Sequence, residues 1–408
     1  MRILISNPKF RLVWISWLLG TLIGNAVQMT QSWLALDLTN SAFWVGTLAG
    51  FTGIAFIIFC TFGGVLADKF KRLKILLFGY TAVSILFFFM ALLISLELMS
   101  ITILIILSIV MASLEALKLP SYLSVIADLV DKKSLLNANA SNFIAIGTSG
   151  IIGPVIAGQL IKYFGMDYVY YFGSLVYILI SIALAHLAFN YTPPKVSSKE
   201  SVFEAIKNGV LYLKNEKLLR LLIGMMILSE TLGWTHMPMI SVIARDFLGM
   251  KSQGLGNLLG FGFGGMLIST SIISITGIKI RPDIFATIGF IIFATCLSVF
   301  AINTQTWLSF LLLSCGYGFY VIFETVTHTT IQSTVPNDMR GRIVSIQTTT
   351  WGLSAFGGFP LGIISNQIGA NYAIASSNVL LIISGLILGV IVIKSGRLKK
   401  LAIDESKN

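Results

Sequence analysis

The sequence predicts an all-α integral membrane protein with twelve transmembrane helices in two six-helix halves. Of its 408 residues, 56% are hydrophobic and only 11% are charged, whereas soluble domains carry about 25% charged residues. Apolar runs of about 20 residues recur along the whole chain, and each is long enough to cross about 30 Å of hydrocarbon. The runs lack the alternating polarity of barrel strands, so we expect helices, which satisfy their own backbone hydrogen bonds.

The apolar runs delimit twelve spans, with one long polar stretch between the sixth and the seventh. The spans cover residues 10–35, 43–66, 74–96, 100–120, 141–162, 168–190, 218–240, 254–278, 284–302, 306–328, 343–365 and 372–394. We therefore expect four regions: an N-terminal bundle over 1–190, a cytoplasmic linker over 191–217, a C-terminal bundle over 218–394 and a cytoplasmic tail over 395–408.

A short internal repeat relates the two halves. Gly158 and Gly165, around the end of the fifth span, recur 204 positions later as Gly362 and Gly369 around the end of the eleventh. Two parallel repeats of this kind allow one bundle to rock against the other around a central site. Chance similarity between apolar segments is the alternative explanation.

Basic residues give the predicted orientation, because Lys and Arg accumulate in cytoplasmic loops. With the N-terminus inside, 25 of the 28 basic residues lie on the cytoplasmic side, and only Lys162, Arg245 and Lys251 lie outside. The formal charge of +11 then reflects topology and attraction to anionic lipid rather than nucleic-acid binding. We expect a monomeric, multi-pass protein of the cell inner (plasma) membrane with both termini in the cytoplasm.

Catalytic signatures are missing from the sequence, which has no phosphate-cradling Walker loop, no metal-spaced histidine set and no catalytic-triad context. Its three cysteines, Cys60, Cys296 and Cys315, all lie within apolar spans, where a thiol behaves as a small apolar residue. We therefore expect no enzymatic activity, no cofactor and no metal. A transporter without a nucleotide engine must draw on an ion gradient or on the gradient of its substrate.

The loop between the second and third spans combines a glycine, an acid and a basic cluster. Gly64 is followed by Asp68, and then by Lys69 and Arg72. We expect Gly64 to allow close helix approach, Asp68 to face the positive end of a neighbouring helix, and the basic residues to hold the loop at the inner leaflet. The pattern resembles motif A of the major facilitator superfamily, which implies a conformational switch; simple positive-inside flanking is the alternative.

The fifth span presents small residues along one face. Gly150, Gly153 and Gly158 recur at near-helical spacing, and Pro154 weakens the helix between them. The pattern resembles the antiporter motif C of the same superfamily, although Ala157 stands where a glycine is expected. The resemblance implies a tightly packed face and a bend on which alternating access can pivot; a purely structural packing face is the alternative.

Further stretches resemble the drug and macrolide efflux branch of the superfamily, which is grouped with siderophore exporters. The stretches are residues 22–29, 37–41, 64–72, 135–140 and 335–342. This resemblance is nearly full length and implies the twelve-helix major facilitator fold. One departure is the outer part of the fourth span, 101–113, which lacks the arginine that many proton-coupled drug antiporters carry in this region.

Glu230 is one of three acids inside the predicted spans, where a charge at the bilayer centre costs about 2.5–3.5 kcal/mol. It lies about 11 residues into the seventh span, roughly 16 Å deep, with Trp234 and Met237 along one helical face. Such a carboxyl can exchange protons or bind a cationic substrate. A structural carboxyl, hydrogen-bonded to a neighbouring helix, is the alternative.

The other two acids each have an ionisable neighbour. Glu324 and His328 form an i, i+4 pair in the inner part of the tenth span, which suits a proton relay and an inner-gate contact equally. Glu115 in the fourth span has Lys118 at i+3, so it is either a proton candidate or half of a local ion pair.

Neutral polar residues are candidates for lining a central cavity. Asn25 and Gln28 lie in the first span, and Gln347 and Thr348 lie in the eleventh. Interhelical hydrogen bonds of about 1 kcal/mol each are their alternative role.

Together these features predict a secondary active transporter that exports amphipathic small molecules of drug or macrolide type by alternating access, coupled to protons by antiport. Its expected partners are the small-molecule substrate, protons and the lipid bilayer. A siderophore exporter or a lysolipid carrier on the same fold is the chief alternative, and a non-transporting membrane sensor is a further one.

The orientation can be tested by cysteine accessibility in a chain whose native cysteines are replaced by alanine. A cysteine at Lys69 or Arg340 should resist an impermeant thiol reagent in intact cells and react after permeabilisation, because both loops carry predicted cytoplasmic basic clusters. A cysteine at Lys162, predicted to lie outside, is the positive control. Labelling of position 69 or 340 in intact cells would refute the orientation.

Overall fold

The computed structural model describes residues 7–131, 135–190, 202–276 and 282–395, which are almost wholly helical. The helices in chain order are α1 Pro8–Thr39, α2 Ala42–Lys69, α3 Arg72–Ser95, α4 Ile101–Leu129, α5 Leu135–Tyr163, α6 Met166–Asn190, α7 Val202–Asn215, α8 Lys217–Leu228, α9 His236–Val242, α10 Ser252–Thr276, α11 Pro282–Ile302, α12 Thr306–Thr334, α13 Asn337–Ile368 and α14 Ala370–Ser395. Two π-helical turns, Ser229–Gly233 and Ile243–Phe247, flank α9. Together with α8 and α9 they form the seventh span, Lys217–Phe247.

Each predicted span coincides with a long helical segment, and the twelve-helix all-α membrane fold is confirmed. Within the described ranges, eleven segments are long and apolar enough to cross a membrane, including the composite Lys217–Phe247. The remaining one is α13, which has 32 residues and is more polar but packs along α2. Of the predicted linker, 191–201 lies outside the described residues and most of the rest forms α7.

Local capping explains where several helices begin and end. The side chain of Asn7 accepts a hydrogen bond from the Phe10 amide at 3.0 Å, and Pro8 occupies the first turn of α1, where its missing N–H costs nothing. Asn40 then ends α1 in the left-handed region, with φ of 49°. Ser100 caps α4 in the same way as Asn7, through the Ile103 amide at 3.3 Å.

The outer surface of the helices is apolar, as expected for a protein solvated by lipid. Ile275, Ile182 and Phe78 are 85%, 66% and 64% exposed, which would be costly in water over so many positions. The buried side chains form a continuous apolar core that runs through both halves. Hydrocarbon therefore meets the outside, and close packing fills the inside.

Among the described helices, two pairs make the most extensive contacts between the halves, and both rely on glycine. At α2 and α13, a methyl group on Gly46 would lie 2.5 Å from the Gly358 carbonyl oxygen and 2.7 Å from the Gly362 Cα. At α5 and α10, a methyl group on Gly158 would lie 2.8 Å from the Ser252 carbonyl oxygen. These contacts lie near one end of the bundle, which we call the glycine end. The opposite end carries the turn from Lys69 to Arg72 and is called the basic end.

Enlarging Gly46 should open the glycine end. In Gly46→Val the added groups meet the α13 backbone at Gly358 and Gly362 as well as the end of the Met239 side chain. The backbone cannot move aside alone, so α2 and α13 must separate; overpacking of this kind costs about 1–3 kcal/mol. Spin labels at Asn40 and Gln367, two exposed sites at this end, should report a longer distance by pulsed electron resonance. Gly24→Val is the matched control, because a methyl group there meets nothing within 4 Å. Equal distances in both variants would contradict this assignment.

Candidate functional site

A central cavity of about 90 Å³ lies between the two halves. Its walls come from α1, α2 and α5 on one side, and from the seventh span, α10 and α13 on the other. Every lining residue in the described chain is uncharged, and amide and hydroxyl side chains alternate with aromatic and aliphatic ones. The cavity therefore suits an amphipathic group that needs hydrogen bonds and apolar contact rather than a fixed countercharge.

Four of the predicted site residues line this cavity: Asn25, Gln28, Pro154 and Trp234. Asn25 donates from Nδ2 to the Thr21 carbonyl at 2.9 Å, which orients its amide oxygen. The side chains of Gln347 and Thr348 lie outside the described part of the chain.

Sequence reasoning missed other lining residues, among them Gln31 and Phe263. Gln31 is 5% exposed and donates to the Ser108 hydroxyl at 2.9 Å, so it also ties α1 to α4. An amide at i+3 from Gln28 was the available signal for Gln31. The ring of Phe263 covers Gly150, which only the three-dimensional packing reveals.

Trp234 forms the boundary between the cavity and a cluster of buried aromatic rings. Its ring centroid lies 4.8 Å from that of Tyr317, 4.9 Å from that of Tyr320 and 6.2 Å from that of Phe293. The indole Nε1 is buried and finds no hydrogen-bond acceptor among the described residues. A buried unpaired donor costs about 1–3 kcal/mol, so the indole ring is positioned by aromatic packing and not by a side-chain hydrogen bond.

Glu230 lies behind Trp234 and outside the cavity lining. It is 5% exposed, and its Oε1 accepts a hydrogen bond from the Tyr320 hydroxyl at 2.7 Å. Tyr320 in turn packs edge to face against Trp234, with an interplanar angle of 79°. Glu230 and Trp234 therefore do not share the single environment predicted from their common helical face. The indole lines the cavity, whereas the carboxyl contacts Tyr320 of α12.

Glu324 and His328 extend the same cluster along α12. The Tyr320 hydroxyl is within hydrogen-bonding reach of Glu324 as well as Glu230, and the two carboxyl groups are close enough to interact electrostatically. Glu324 also interacts with His328, one turn further toward the basic end. The four side chains form a series of a carboxyl, a phenol, a carboxyl and an imidazole, and Tyr320 is the member that sequence reasoning missed.

The backbone of the seventh span is irregular at the level of the cavity. Glu230 lies in the π-helical turn Ser229–Gly233, closed by a hydrogen bond from the Trp234 amide to the Ser229 carbonyl at 2.9 Å. Pro238 follows and has no N–H to donate. His236 fills the break, with Nδ1 2.7 Å from the Gly233 carbonyl oxygen and Nε2 2.8 Å from the Tyr317 hydroxyl. π-turns and prolines are recognised causes of helix distortion, and π-turns are frequent at functional sites.

Glu115 belongs to a separate cluster in the first half. Its Oε1 lies 2.7 Å from Lys118 Nζ and accepts a hydrogen bond from the Tyr177 hydroxyl at 3.1 Å. The Lys118 ammonium also lies 4.0 Å from the Tyr80 ring centroid and 4.7 Å from that of Tyr177. Lys118 is 2% exposed, so its charge lies inside the bundle, and Glu115 forms the local ion pair that the sequence offered as one of its two roles.

The two predicted basic residues of the motif between α2 and α3 have different surroundings. Arg72 Nη1 lies 2.7 Å from Asp128 of α4, and its Nε donates to the Ala67 carbonyl at 3.2 Å. Lys69 is exposed, and the Asp68 side chain lies outside the described residues. Close approach between α2 and α4 occurs at Gly63, next to Gly64, where a methyl group would lie 2.9 Å from Leu117 Cα.

The small residues of α5 face two different helices. A methyl group on Gly150 would meet the Phe263 ring of α10, and one on Gly153 would meet the Leu22 carbonyl of α1. Gly158 contacts α10 at the glycine end. The α5 glycine face thus lies where α1 of its own half and α10 of the other half converge beside the cavity.

The Glu115–Lys118 pair generates an asymmetric stability prediction. Glu115→Ala should lower the free energy of unfolding by about 3–5 kcal/mol, because it leaves the buried Lys118 charge without its partner. Lys118→Met should cost less, because Glu115 is 31% exposed and retains Tyr177.

The double variant Glu115→Leu/Lys118→Met should recover most of the loss, since both charges are removed together. Thermal unfolding of the purified variants in one detergent measures all three. If Lys118→Met proved the most damaging of the three, the tyrosine rings rather than the ion pair would dominate this cluster.

Comparison with known proteins agrees with the fold and the membrane location. Residues 4–406 match the family described as transmembrane secretion effector, MFS_3. The chain is 24% identical over 413 residues to the enterobactin exporter EntS of Escherichia coli O1:K1 / APEC, covering 96% of this chain and 94% of that protein. It is 25% identical over 298 residues to the uncharacterised MFS-type transporter YfiS of Bacillus subtilis strain 168, covering 68% and 69%.

Solved structures share the architecture at low sequence identity. An occupied, inward-facing bacterial homologue of the human lysosomal transporter Spinster superposes with a TM-score of 0.75 at 13% identity, over 95% of this chain and 96% of that one. A mutant of the peptide transporter POT in complex with alafosfalin gives 0.76 at 10% identity, over 96% of each chain. The match to the family over nearly the whole sequence shows that this chain belongs to the transmembrane secretion effector family of major facilitator superfamily transporters.

Proposed function

We propose that this transporter exports amphipathic small molecules by alternating access, and that protons drive the export. The observation that carries the proposal is the arrangement around Trp234. One side of its ring faces a cavity between the two halves, and the other side packs on the tyrosine that holds a buried carboxyl. A substrate site and an ionisable site are thus separated by a single side chain.

The cavity chemistry supports a substrate that is amphipathic and not required to be charged. Amides such as Gln28 and hydroxyls such as Thr52 offer hydrogen bonds, while Trp234 and Phe263 offer ring surfaces for stacking. At about 90 Å³ the cavity holds only part of a drug-sized molecule, because typical ligand pockets have about 300–1,000 Å³. We infer that the halves separate further when the substrate enters.

In this scheme, coupling follows from the hydrogen bond between the Tyr320 hydroxyl and Glu230, whose strength depends on whether the carboxyl is ionised. An ionised Glu230 accepts a hydrogen bond from the Tyr320 hydroxyl at 2.7 Å, and this bond weakens when the carboxyl is protonated. Substrate pressing on Trp234 displaces the ring that packs on Tyr320 and thereby changes the environment of Glu230. Glu324 and His328, which continue along α12 toward the basic end, supply the onward proton path in this scheme.

A siderophore is the second candidate substrate, favoured by the relatives. Enterobactin exporters match over 96% of this chain, and an uncharged cavity with amide, hydroxyl and ring surfaces is compatible with such a ligand. Impaired growth of a deletion strain only under iron limitation, together with loss of siderophore secretion, would favour it. Drug resistance on overexpression without an iron effect would favour the drug or macrolide class, and lysolipid uptake would favour the carrier alternative.

Glu230→Gln tests the proton role directly. The neutral amide imitates the protonated carboxyl, so flux driven by an imposed pH gradient in proteoliposomes should fall to background while substrate exchange without a gradient persists. A panel of cationic and neutral drugs and a siderophore supplies the substrates. If Glu230 instead binds cationic substrates, transport of cations alone should weaken.

Two companion variants make the outcome interpretable. Tyr320→Phe removes the hydroxyl that Glu230 accepts from, so it should shift the pH dependence of flux while leaving exchange intact. Glu97→Gln changes an exposed acid at the glycine end and should leave all readouts unchanged. Wild-type flux and selectivity in Glu230→Gln would reduce Glu230 to a structural carboxyl and sink the coupling scheme.

A further inference from the structure

A second cavity opens on the outside of the first half, between α2, α3 and α4. It has a volume of about 240 Å³, several times the roughly 30 Å³ that one water molecule occupies in the liquid. Leu66 of α2, Phe78 of α3 and Leu114 of α4 contribute to its walls. Gly79 forms part of the floor, where the aliphatic stem of Lys118 passes on its way to Glu115.

This second cavity, which we call the groove, is suited to hydrocarbon rather than to water. Apart from Lys74 at its end, its walls are apolar, and the Lys118 ammonium is already held by Glu115 and two tyrosine rings. Water in such a groove would find few partners, because a stable buried water needs about two to four polar contacts. Phe78, at 64% exposure, places the opening on the surface that faces lipid.

Basic residues lie at the end of the groove, where Lys74 lines the wall and Lys69 and Lys71 flank the lining residue Phe70. Lys69, Lys71 and Lys74 are all exposed at the basic end, and Lys74 also contributes to the wall. Arg72 in the same turn is held by Asp128 instead. The Lys74 ammonium stays at the outer surface, 5.3 Å from the ring centroid of Phe189. Three surface lysines beside an apolar slot match a negatively charged head group above an acyl chain.

We propose that this groove binds one acyl chain of an anionic phospholipid from the leaflet at the basic end, with its phosphate held by Lys74 and the two neighbouring lysines. The lipid contacts α2, α3 and α4 at once, so it joins the turn carrying Lys69 and Arg72 to the helix that carries the Glu115–Lys118 pair. This inference does not depend on the substrate or on the driving ion.

Native mass spectrometry of the delipidated, detergent-purified chain tests the site. With an equimolar mixture of phosphatidylglycerol and phosphatidylcholine of the same acyl composition, the first bound lipid should be phosphatidylglycerol. Lys74→Gln should lower that preference about fivefold, as expected for one lysine near a lipid surface. Lys394→Gln, which removes an exposed lysine at the same end of α14, should leave the preference unchanged.

A bulky side chain in the groove tests the acyl chain separately. Leu114→Trp should remove most of the tightly bound phosphatidylglycerol, whereas Ile275→Trp, on the lipid-facing surface of α10, should not. Leu114→Phe provides a milder filling if the tryptophan variant fails to elute as a single species. Equal loss in Lys74→Gln and Lys394→Gln, or full retention in both Leu114 variants, would overturn the proposal. Neither readout involves flux, so failure here is distinguishable from failure of the transport scheme.

Discussion

The hydrocarbon around the helices imposes the constraint on which the rest of the structure depends. A polar or charged side chain within a span must find its partner inside the protein, because lipid offers none. Glu230 meets this requirement through the Tyr320 hydroxyl, and Lys118 meets it through Glu115 and two tyrosine rings. Each such contact also fixes the register of the helices involved. Two helices can therefore move relative to each other where their polar side chains can exchange one partner for another. They resist such motion where no second partner is available.

The two halves differ in this respect. In the first half, Glu115 and Lys118 lie on the same helix, so any motion of α4 carries both charges together and leaves their 2.7 Å contact intact. In the second half, Glu230 and Tyr320 belong to different helices, and a relative motion of the seventh span and α12 changes their contact. In the first cluster the tyrosine contacts tie α4 to α3 and α6 around an ion pair that does not change. In the second, the ionisable group itself is part of the contact between helices.

Sequence reasoning found the twelve spans because length and hydropathy are local properties, but it placed some ends wrongly. The fourth span was predicted to end at 120, whereas α4 continues through Pro120 to Leu129. Tyr320 and His236 escaped prediction for another reason. Their roles depend on partners 90 and 81 residues away, Glu230 and Tyr317, and no periodicity within a single helix reveals such pairs. The π-turn at 229–233 also escaped prediction, because its sequence contains no proline to signal an irregular helix.

The irregular seventh span bears directly on the proposed coupling between the cavity and the buried acid. Two π-turns flank the seven-residue helix α9, and Pro238 removes one amide donor at its start. A helix with an interrupted hydrogen-bond ladder changes shape at lower cost than a regular one. Trp234 and Glu230 both lie in this weakened section, while Tyr320 lies on the regular helix α12. A displacement of the indole by a ligand can therefore be absorbed within the seventh span itself. In the proposed scheme this displacement alters the contact between Glu230 and Tyr320 within the second half, and it does not require the glycine contacts between α2 and α13 to separate.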